Sequence, residues 1–303
     1  VPVDDIIITN GALDALNLSL AAVTNPGDAV IVESPTFYAA LQSLERNQLH
    51  AIEVATHPRE GIDLQALEQA ILQHRPRACW LMTTFQNPLG SLMPDSKKEA
   101  LVKLLTKHGV ALIEDDVYGE LYFGETRPRP AKAFDKEGIV MHCSSFSKTL
   151  APGYRVGWVA AGRYTRKIMR NKLTTSLATA APTQAAIAAY LEKGGFDRHL
   201  RQFRQTLALQ QGELLQAVAR YFPKGTRATR PAGGYFVWVE LPAHIDTLKV
   251  HRAALDHGIS IAPGPLFSSS GAFGNFLRLN HGHPWSVDLE QGMATLGKLL
   301  GSA

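Results

Sequence analysis

Through about the first 190 positions, short apolar runs alternate with longer segments of helical period. A strand buried on both faces reads as a continuous apolar run, and parallel neighbours need a crossover helix, so this alternation points to a parallel sheet covered by helices. The candidate strands are 6–9, 29–33, 50–54, 78–83, 110–114, 139–143 and 156–160. Between them Leu64, Leu67, Ala70 and Ile71 recur at helical spacing behind Asp63, a residue able to cap a first turn. Leu101, Leu104 and Leu105 repeat the pattern after Pro94 and Asp95. Past residue 195 the texture changes to one long amphipathic helix, 196–221, then strand-like runs 235–240 and 276–280 among further helices. The pattern predicts an α/β fold in two domains. Residues 1–195 form a large domain with a mostly parallel seven-stranded sheet and helices on both faces, and 196–303 form a smaller α+β C-terminal domain. No internal repeat is present, and Ser268-Ser269-Ser270-Gly271 is the strongest loop cluster of the second half.

Composition narrows the function classes. At 45% hydrophobic and 19% charged, the chain falls outside the disordered, collagenous and supercharged classes. Its 31 Lys and Arg against 27 Asp and Glu give a net charge of +4, but the basic residues are dispersed with no aromatic-interleaved stripe, which gives no support to DNA contact by this chain. No stretch approaches the ~18 apolar residues of a membrane span, and residues 1–10 lack the pattern of a signal peptide. With only Cys79 and Cys143, both in apolar surroundings, no disulfide framework is expected, and a cytoplasmic protein is. The first residue is not Met and a core strand follows within a few positions, so the expectation is that a preceding segment has been cut off.

Chemistry is expected where strands end, because open α/β sheets bind ligands at the carboxyl ends of their strands. The first strand ends in Thr9-Asn10-Gly11-Ala12 and leads into a helix, whose first N–H groups and dipole suit an anion. By itself this is also an ordinary βα turn, and neither the dinucleotide nor the nucleoside-triphosphate glycine motif occurs. The run Ala111-Leu112-Ile113-Glu114-Asp115-Asp116-Val117-Tyr118 carries a core strand straight into three carboxylates and a tyrosine. Such acids either meet solvent or face a cation. Asn87-Pro88-Leu89-Gly90 follows another strand as a turn. In Ser144-Ser145-Phe146-Ser147-Lys148-Thr149-Leu150-Ala151-Pro152-Gly153-Tyr154-Arg155, a lysine and an arginine seven apart sit among hydroxyls and glycine between two core strands. A lysine drawn into a strand-end cleft has its pKa lowered and becomes a nucleophile, while arginine offers a fork for phosphate.

Taken together, Asn-Pro-x-Gly, Asp-x-x-Tyr and Ser-x-Ser-Lys with Arg seven residues later, in that order, make the whole chain resemble a fold-type I pyridoxal-phosphate (PLP) protein of the aspartate aminotransferase superfamily. The resemblance implies that Lys148 is the Schiff-base lysine that ties pyridoxal 5'-phosphate as an internal aldimine and then moves a proton at the substrate α-carbon. It implies that Asp115 partners the pyridine nitrogen, that Tyr118 and Asn87 donate to the ring hydroxyl, and that Phe37 stacks on the ring. Ser145, Ser147 and Arg155 would form a phosphate cup with the backbone at Gly11, Ala12 and Leu13, and Arg278, alongside Asn87, would clamp a substrate carboxylate. Leu13 departs from the polar residue many relatives carry there, which leaves backbone contacts at that point.

A narrower resemblance is to the aminotransferase-like half of MocR-type regulators in the GntR family, carried by Glu33-Ser34-Pro35-Thr36-Phe37-Tyr38, by 55–62 (Ala-Thr-His-Pro-Arg-Glu-Gly-Ile), by 113–118 and by Ser260-Ile261-Ala262-Pro263-Gly264. It implies a homodimer that senses an amino acid, an amine or a B6 vitamer, with DNA bound only through an N-terminal winged-helix domain outside this chain, and no membrane partner. Three readings follow: an effector-sensing PLP domain of a transcription regulator, an amino-acid aminotransferase, or an α/β protein without PLP, which would make six matching side chains coincidental. His281 and His283 lack a further ligand, so no metal is expected, and Trp238, Gly233 and Gly234 receive no catalytic role.

Overall fold

The computed structural model describes residues 1–302. Eight strands build the large sheet: β1 (Ile6–Thr9), β2 (Ala29–Ser34), β3 (His50–His57), β4 (Gly61–Ile62), β5 (Ala78–Leu81), β6 (Ala111–Asp115), β7 (Val140–Ser145) and β8 (Gly157–Ala160). Their order is β1-β8-β7-β6-β5-β2-β3-β4, with β2, β3, β5, β6 and β7 parallel. Strand β8 runs antiparallel to both neighbours, β1 and β7.

The seven predicted strands are all present, and the eighth corrects the count. β4 is a two-residue return that pairs Thr56 with Ile62 and so prolongs β3 beyond the predicted 50–54. Strand ends differ where it matters for function. β6 continues one residue past the predicted end, to Asp115, and β7 continues to Ser145, because inter-strand pairing through Asp115↔Cys143 and Ser145↔Gly157 outlasts the apolar run.

Helices α1 (Ala12–Val23), α2 (Tyr38–Arg46), α3 (Leu64–His74), α4 (Asp95–His108), α5 (Thr165–Thr175) and α6 (Ala181–Glu192) accompany this sheet. Asp63 caps α3 as expected, accepting from Gln65 N at 2.8 Å and Ala66 N at 3.0 Å. Alternate residues of each strand feed two cores. Trp80 and Ile113 join Leu16 and Leu20 of α1 on one face, while Cys79 and Leu112 join Leu67, Leu101 and Leu105 of α3 and α4 on the other.

Helix α7 (Gly195–Tyr221) crosses from one core to the next: Leu207 packs in the first, and Leu214 and Val218 pack with Val237, Val239 and Leu277. The second sheet, order β11-β12-β10-β9, comprises β9 (Arg227–Ala228), β10 (Phe236–Glu240), β11 (Ala262–Pro263) and β12 (Phe276–Asn280), flanked by α8 (Thr247–Leu255) and α9 (Val287–Gly301). The register Trp238↔Arg278 puts Phe236, Trp238, Phe276 and Arg278 on one face. That face meets the large sheet, for Trp238 clusters with Leu89 and Arg278 bonds Asn87.

Candidate cofactor cleft

The candidate residues fall along one edge of the large sheet in an order set by its topology. Because β8 is antiparallel, its beginning lies beside the carboxyl ends of the other strands. Reading across the edge gives Gly11 after β1, Arg155 before β8, Ser145 ending β7, Asp115 ending β6, Asn87 beyond β5 and Phe37 beyond β2. Residues scattered over 145 positions are thereby gathered at a single crevice.

In the middle of this edge the groups are buried. Asp115 is 1% exposed and its Oδ1 has no hydrogen-bond partner. Burial pushes its carboxyl up to about 7; the Val117 N–H opposes this, Asp116 adds to it, and His142 and Lys148 relieve it. A buried, unpartnered carboxylate oxygen is costly, so it marks a place kept open for a donor. Tyr118 lies edge-on to Tyr235 at 6.0 Å and to Phe236 at 5.7 Å. Burial and the charge of Asp115 push its phenol above the usual range, so the hydroxyl keeps its proton and stays a donor. Asn87, 2% exposed, accepts from Arg278 Nη1 at 2.8 Å. The Arg278 guanidinium rests 4.0 Å above the Phe236 ring and 5.1 Å from Phe267, in contacts that hold a cation without neutralising it.

At the other end the groups meet solvent. No side chain caps α1, which leaves the N–H groups of Ala12 and Leu13 in its first turn open to an anion, and the Leu13 side chain is exposed. Arg155 donates to Asn10 O at 3.0 Å and to Ser147 Oγ at 3.2 Å. Its backbone sits at φ 52°, a left-handed conformation that costs a non-glycine residue about 1 kcal/mol or more. Gly11, at φ 87°, lies directly beneath the guanidinium, and a Cβ there would overlap Arg155 Nη2. A Cβ on Gly157 would stand 2.5 Å from Gly11 C, so two glycines let the turn and β8 close into a cradle. Ser145 Oγ accepts from Ser147 N at 3.3 Å, which shapes the turn that presents Lys148.

Lys148 stands between the two ends. Its carbonyl accepts from Tyr235 Oη at 2.8 Å, and the residue is exposed. Partial burial lowers its ammonium pKa; Arg278 and Arg155 lower it further and Asp115 opposes them, so the amine senses both ends. Phe37 directly precedes α2 with its ring half-buried, 5.0 Å from the ring of Tyr38, and joins the group by its place on the edge. Three contributors were not legible in the sequence. Tyr235 and Tyr38, whose ring centroid lies 6.0 Å from the Arg278 guanidinium, lie in runs that read as core strand or helix start, and Asn10 acts through its carbonyl. His281 is buried with both ring nitrogens unpartnered, and burial pushes it down to about 4, so it is a neutral packed ring. Among the described residues no cluster of three His, Cys, Asp or Glu side chains could hold a metal, and no helix is long and apolar enough to cross a membrane. A cavity of about 830 Å³ between Pro35, Gly90, Trp238 and Phe276 lies apart from the cleft, with none of the candidate residues in its lining.

An unpartnered acid, phenol and amide donors, a perturbed amine and an arginine-glycine cradle fit a flat heteroaromatic phosphate such as PLP. Comparison with known proteins agrees. The family described as aminotransferase class I and II matches residues 1–288. The chain is 52% identical over 297 residues to the uncharacterised HTH-type transcriptional regulator YdcR of Escherichia coli, covering 98% of this chain and 64% of the relative. It therefore spans slightly less than two thirds of that protein's length. The multiple substrate aminotransferase of Thermococcus profundus superposes with a TM-score of 0.92 at 31% identity, covering 98% of this chain and 75% of that one. LysN, an α-aminoadipate aminotransferase of Thermus thermophilus solved with N-(5'-phosphopyridoxyl)-L-leucine, gives 0.91 at 32% identity, over 99% and 77% of the two chains. The chain belongs to the aminotransferase class I and II family, as an aminotransferase-like domain of fold-type I architecture whose implied cofactor is pyridoxal 5'-phosphate.

Proposed function

We propose that the chain is the effector-sensing half of a MocR/GntR-type transcriptional regulator, binding PLP and reacting with an amino acid, an amine or a B6 vitamer. The observation that carries this reading is one sheet edge that gathers Lys148, the buried Asp115 with its unpartnered Oδ1, and the cradle of Arg155 over Gly11. When bound, PLP supplies an electron sink for a bond broken at the α-carbon of an amine. The chain's own residues do the rest. Asp115 holds a proton on the ring nitrogen, Tyr118 and Asn87 donate to the ring hydroxyl, and Phe37 covers one ring face. Ser145, Ser147, Arg155 and the backbone at Gly11, Ala12 and Leu13 hold the phosphate. Lys148 would supply the amine that holds the cofactor and would carry a proton beside the substrate α-carbon. Arg278, steadied by Asn87, orients a substrate carboxylate.

Identity of 52% to a regulator, against 31% and 32% to the two aminotransferases, favours sensing over turnover. Contact with DNA belongs in this reading to a winged-helix segment outside these residues, and the setting is the cytoplasm. The domains are 1–195 and 196–303. Met169, Leu173, Leu177 and Leu191 expose apolar side chains along α5, α6 and the turn between them, which supports a homodimer through that face. An amino-acid aminotransferase is the second reading, favoured by the carboxylate-ready Arg278.

Adding PLP should give an absorbance band that borohydride reduction fixes, with the label mapping to Lys148, and Lys148→Ala should lose both. A label on another lysine, or an unchanged spectrum in the variant, defeats the assignment. Sustained conversion of an amino acid and a 2-oxo acid would select the aminotransferase; a single conversion of the bound cofactor would select the sensor.

A further inference from the structure

Beside the cleft lies a charged assembly that none of the cofactor roles uses. Asp115 and Asp116 leave β6 as consecutive buried carboxylates. Side-chain alternation sends them to opposite sides of the chain. Asp115 Oδ1 is left without a partner, whereas Asp116 Oδ2 takes two side chains, His142 Nε2 at 2.9 Å and the Arg127 guanidinium through Nη2 at 3.0 Å. Arg127 is fixed in turn by Glu120 Oε1 at 2.5 Å. His142 is 8% exposed and sits on β7 in register with Glu114, which is already occupied by Thr83 Oγ1 and the N–H groups of Ala131 and Lys132. The charged groups acting on His142 are thus Glu114 from β6, Asp116 just past its end and Arg127 from the following loop; Lys98 of α4 acts in turn on those two acids.

We propose that His142 is a positioning residue for Asp115: held on Asp116, its imidazolium balances the second carboxylate and leaves Asp115 ionised and free for the cofactor nitrogen. The inference rests on the PLP reading above and names a residue that reading leaves out. With His142 protonated, Asp116, Glu120, Arg127 and His142 sum to zero charge. Once the imidazole is neutral the group carries a net negative charge beside Asp115, which opposes a second one. Burial alone would lower the His142 pKa, but the hydrogen bond and charge of Asp116 outweigh it and hold the imidazolium above its ordinary value. The same charge acts on Asp115 in the direction of ionisation.

The test is the affinity of the protein for pyridoxamine phosphate, which needs no bond to Lys148, measured by calorimetry from about pH 6 to 9. His142→Gln keeps a donor toward Asp116 but cannot carry charge. It should weaken binding about 10-fold at the acid end, with the ratio to wild type falling toward one at the alkaline end. Asp116→Asn combined with His142→Gln removes both charges and should restore wild-type affinity at the acid end. Above the pH at which wild-type His142 loses its proton, the double variant should bind the more tightly. If the single variant does not fold, wild type against the double variant decides by that crossover. A ratio constant with pH, or a double variant weaker than the single one, overturns the proposal while leaving the PLP reading intact. A wild type that binds neither pyridoxamine phosphate nor PLP overturns both.

Discussion

In the middle of the cleft, Asp115, Asn87 and Tyr118 are buried against the second sheet and Asp115 keeps one oxygen unpartnered; at the Gly11–Arg155 end, Arg155 and Leu13 stand in solvent around a turn in left-handed backbone. Both ends carry a cost, but of different kinds. The Asp115 end withholds solvent from an acid, so its energy is electrostatic and depends on pH. The Arg155 end holds backbone in a sparsely populated region, so its energy is conformational and nearly independent of pH. A ligand that supplied one proton donor and one anion would relieve the first and use the second.

The largest expected effect tests the electrostatic half. The Asp115 carboxyl stands at about 7 in the folded chain against an ordinary 3.8, so its folded-state pKa is raised. Its contribution to stability is complete below the unfolded value and is lost as pH rises through the folded one, at most about 4 kcal/mol. Urea unfolding of the cofactor-free protein should therefore show stability falling from about pH 4 to 8, and Asp115→Asn should flatten that fall. Glu33, raised to about 8 by burial, contributes in the same direction, whereas His281, pushed down to about 4, adds stability as pH rises to its ordinary 6.5, so the residual slope should lie between about pH 6.5 and 8. A wild-type curve already flat there would break the contrast. The same variant should cost about 3 kcal/mol, or ~100-fold, in PLP affinity while stabilising the protein near neutral pH, a trade of stability for binding.

At the opposite end the expected pattern reverses. Arg155→Ala should weaken PLP and inorganic phosphate alike by about 2 kcal/mol, with unfolding free energy changed by no more than about 0.5 kcal/mol because the side chain is exposed. A similar loss at both pH 6 and pH 8 in equilibrium titration would sharpen the comparison. Gly11→Ala, which forces a side chain into φ 87° under the guanidinium, should lower stability by about 1–2 kcal/mol at every pH. Smallest of all, Tyr235→Phe removes one hydrogen bond to the Lys148 carbonyl and should cost about 1 kcal/mol in cofactor affinity by fluorescence titration.

The contrast also accounts for what could be read in the amino-acid order. Lys148, Asp115 and Arg155 stood out because a strand-end lysine, acid or arginine among apolar runs is costly without a reason, and burial makes that cost visible in composition. Tyr235 and Tyr38 drew no role of their own, since an aromatic in a strand or beside another aromatic is what a core requires anyway. His142 was equally hidden: it lies within the apolar run 139–143, and its partner Asp116 comes from the neighbouring strand's end. Strand β6 was predicted one residue short because apolar patterning stops at Ile113 while backbone pairing continues through Asp115.

Local order alone determined the alternation of strands and crossover helices, the caps such as Asp63, and the residue types able to serve a phosphate, a ring nitrogen and an amine. Those follow from interactions spanning a few residues, which periodicity and charge report directly. Tertiary structure alone decided that β8 runs antiparallel and so brings Arg155 over Gly11, that Arg278 reaches Asn87 across 191 positions, and that one of two adjacent acids is paired while the other is left open. Strand order and sheet packing set these distances, and they depend on which distant faces bury each other, a choice no short window of sequence contains.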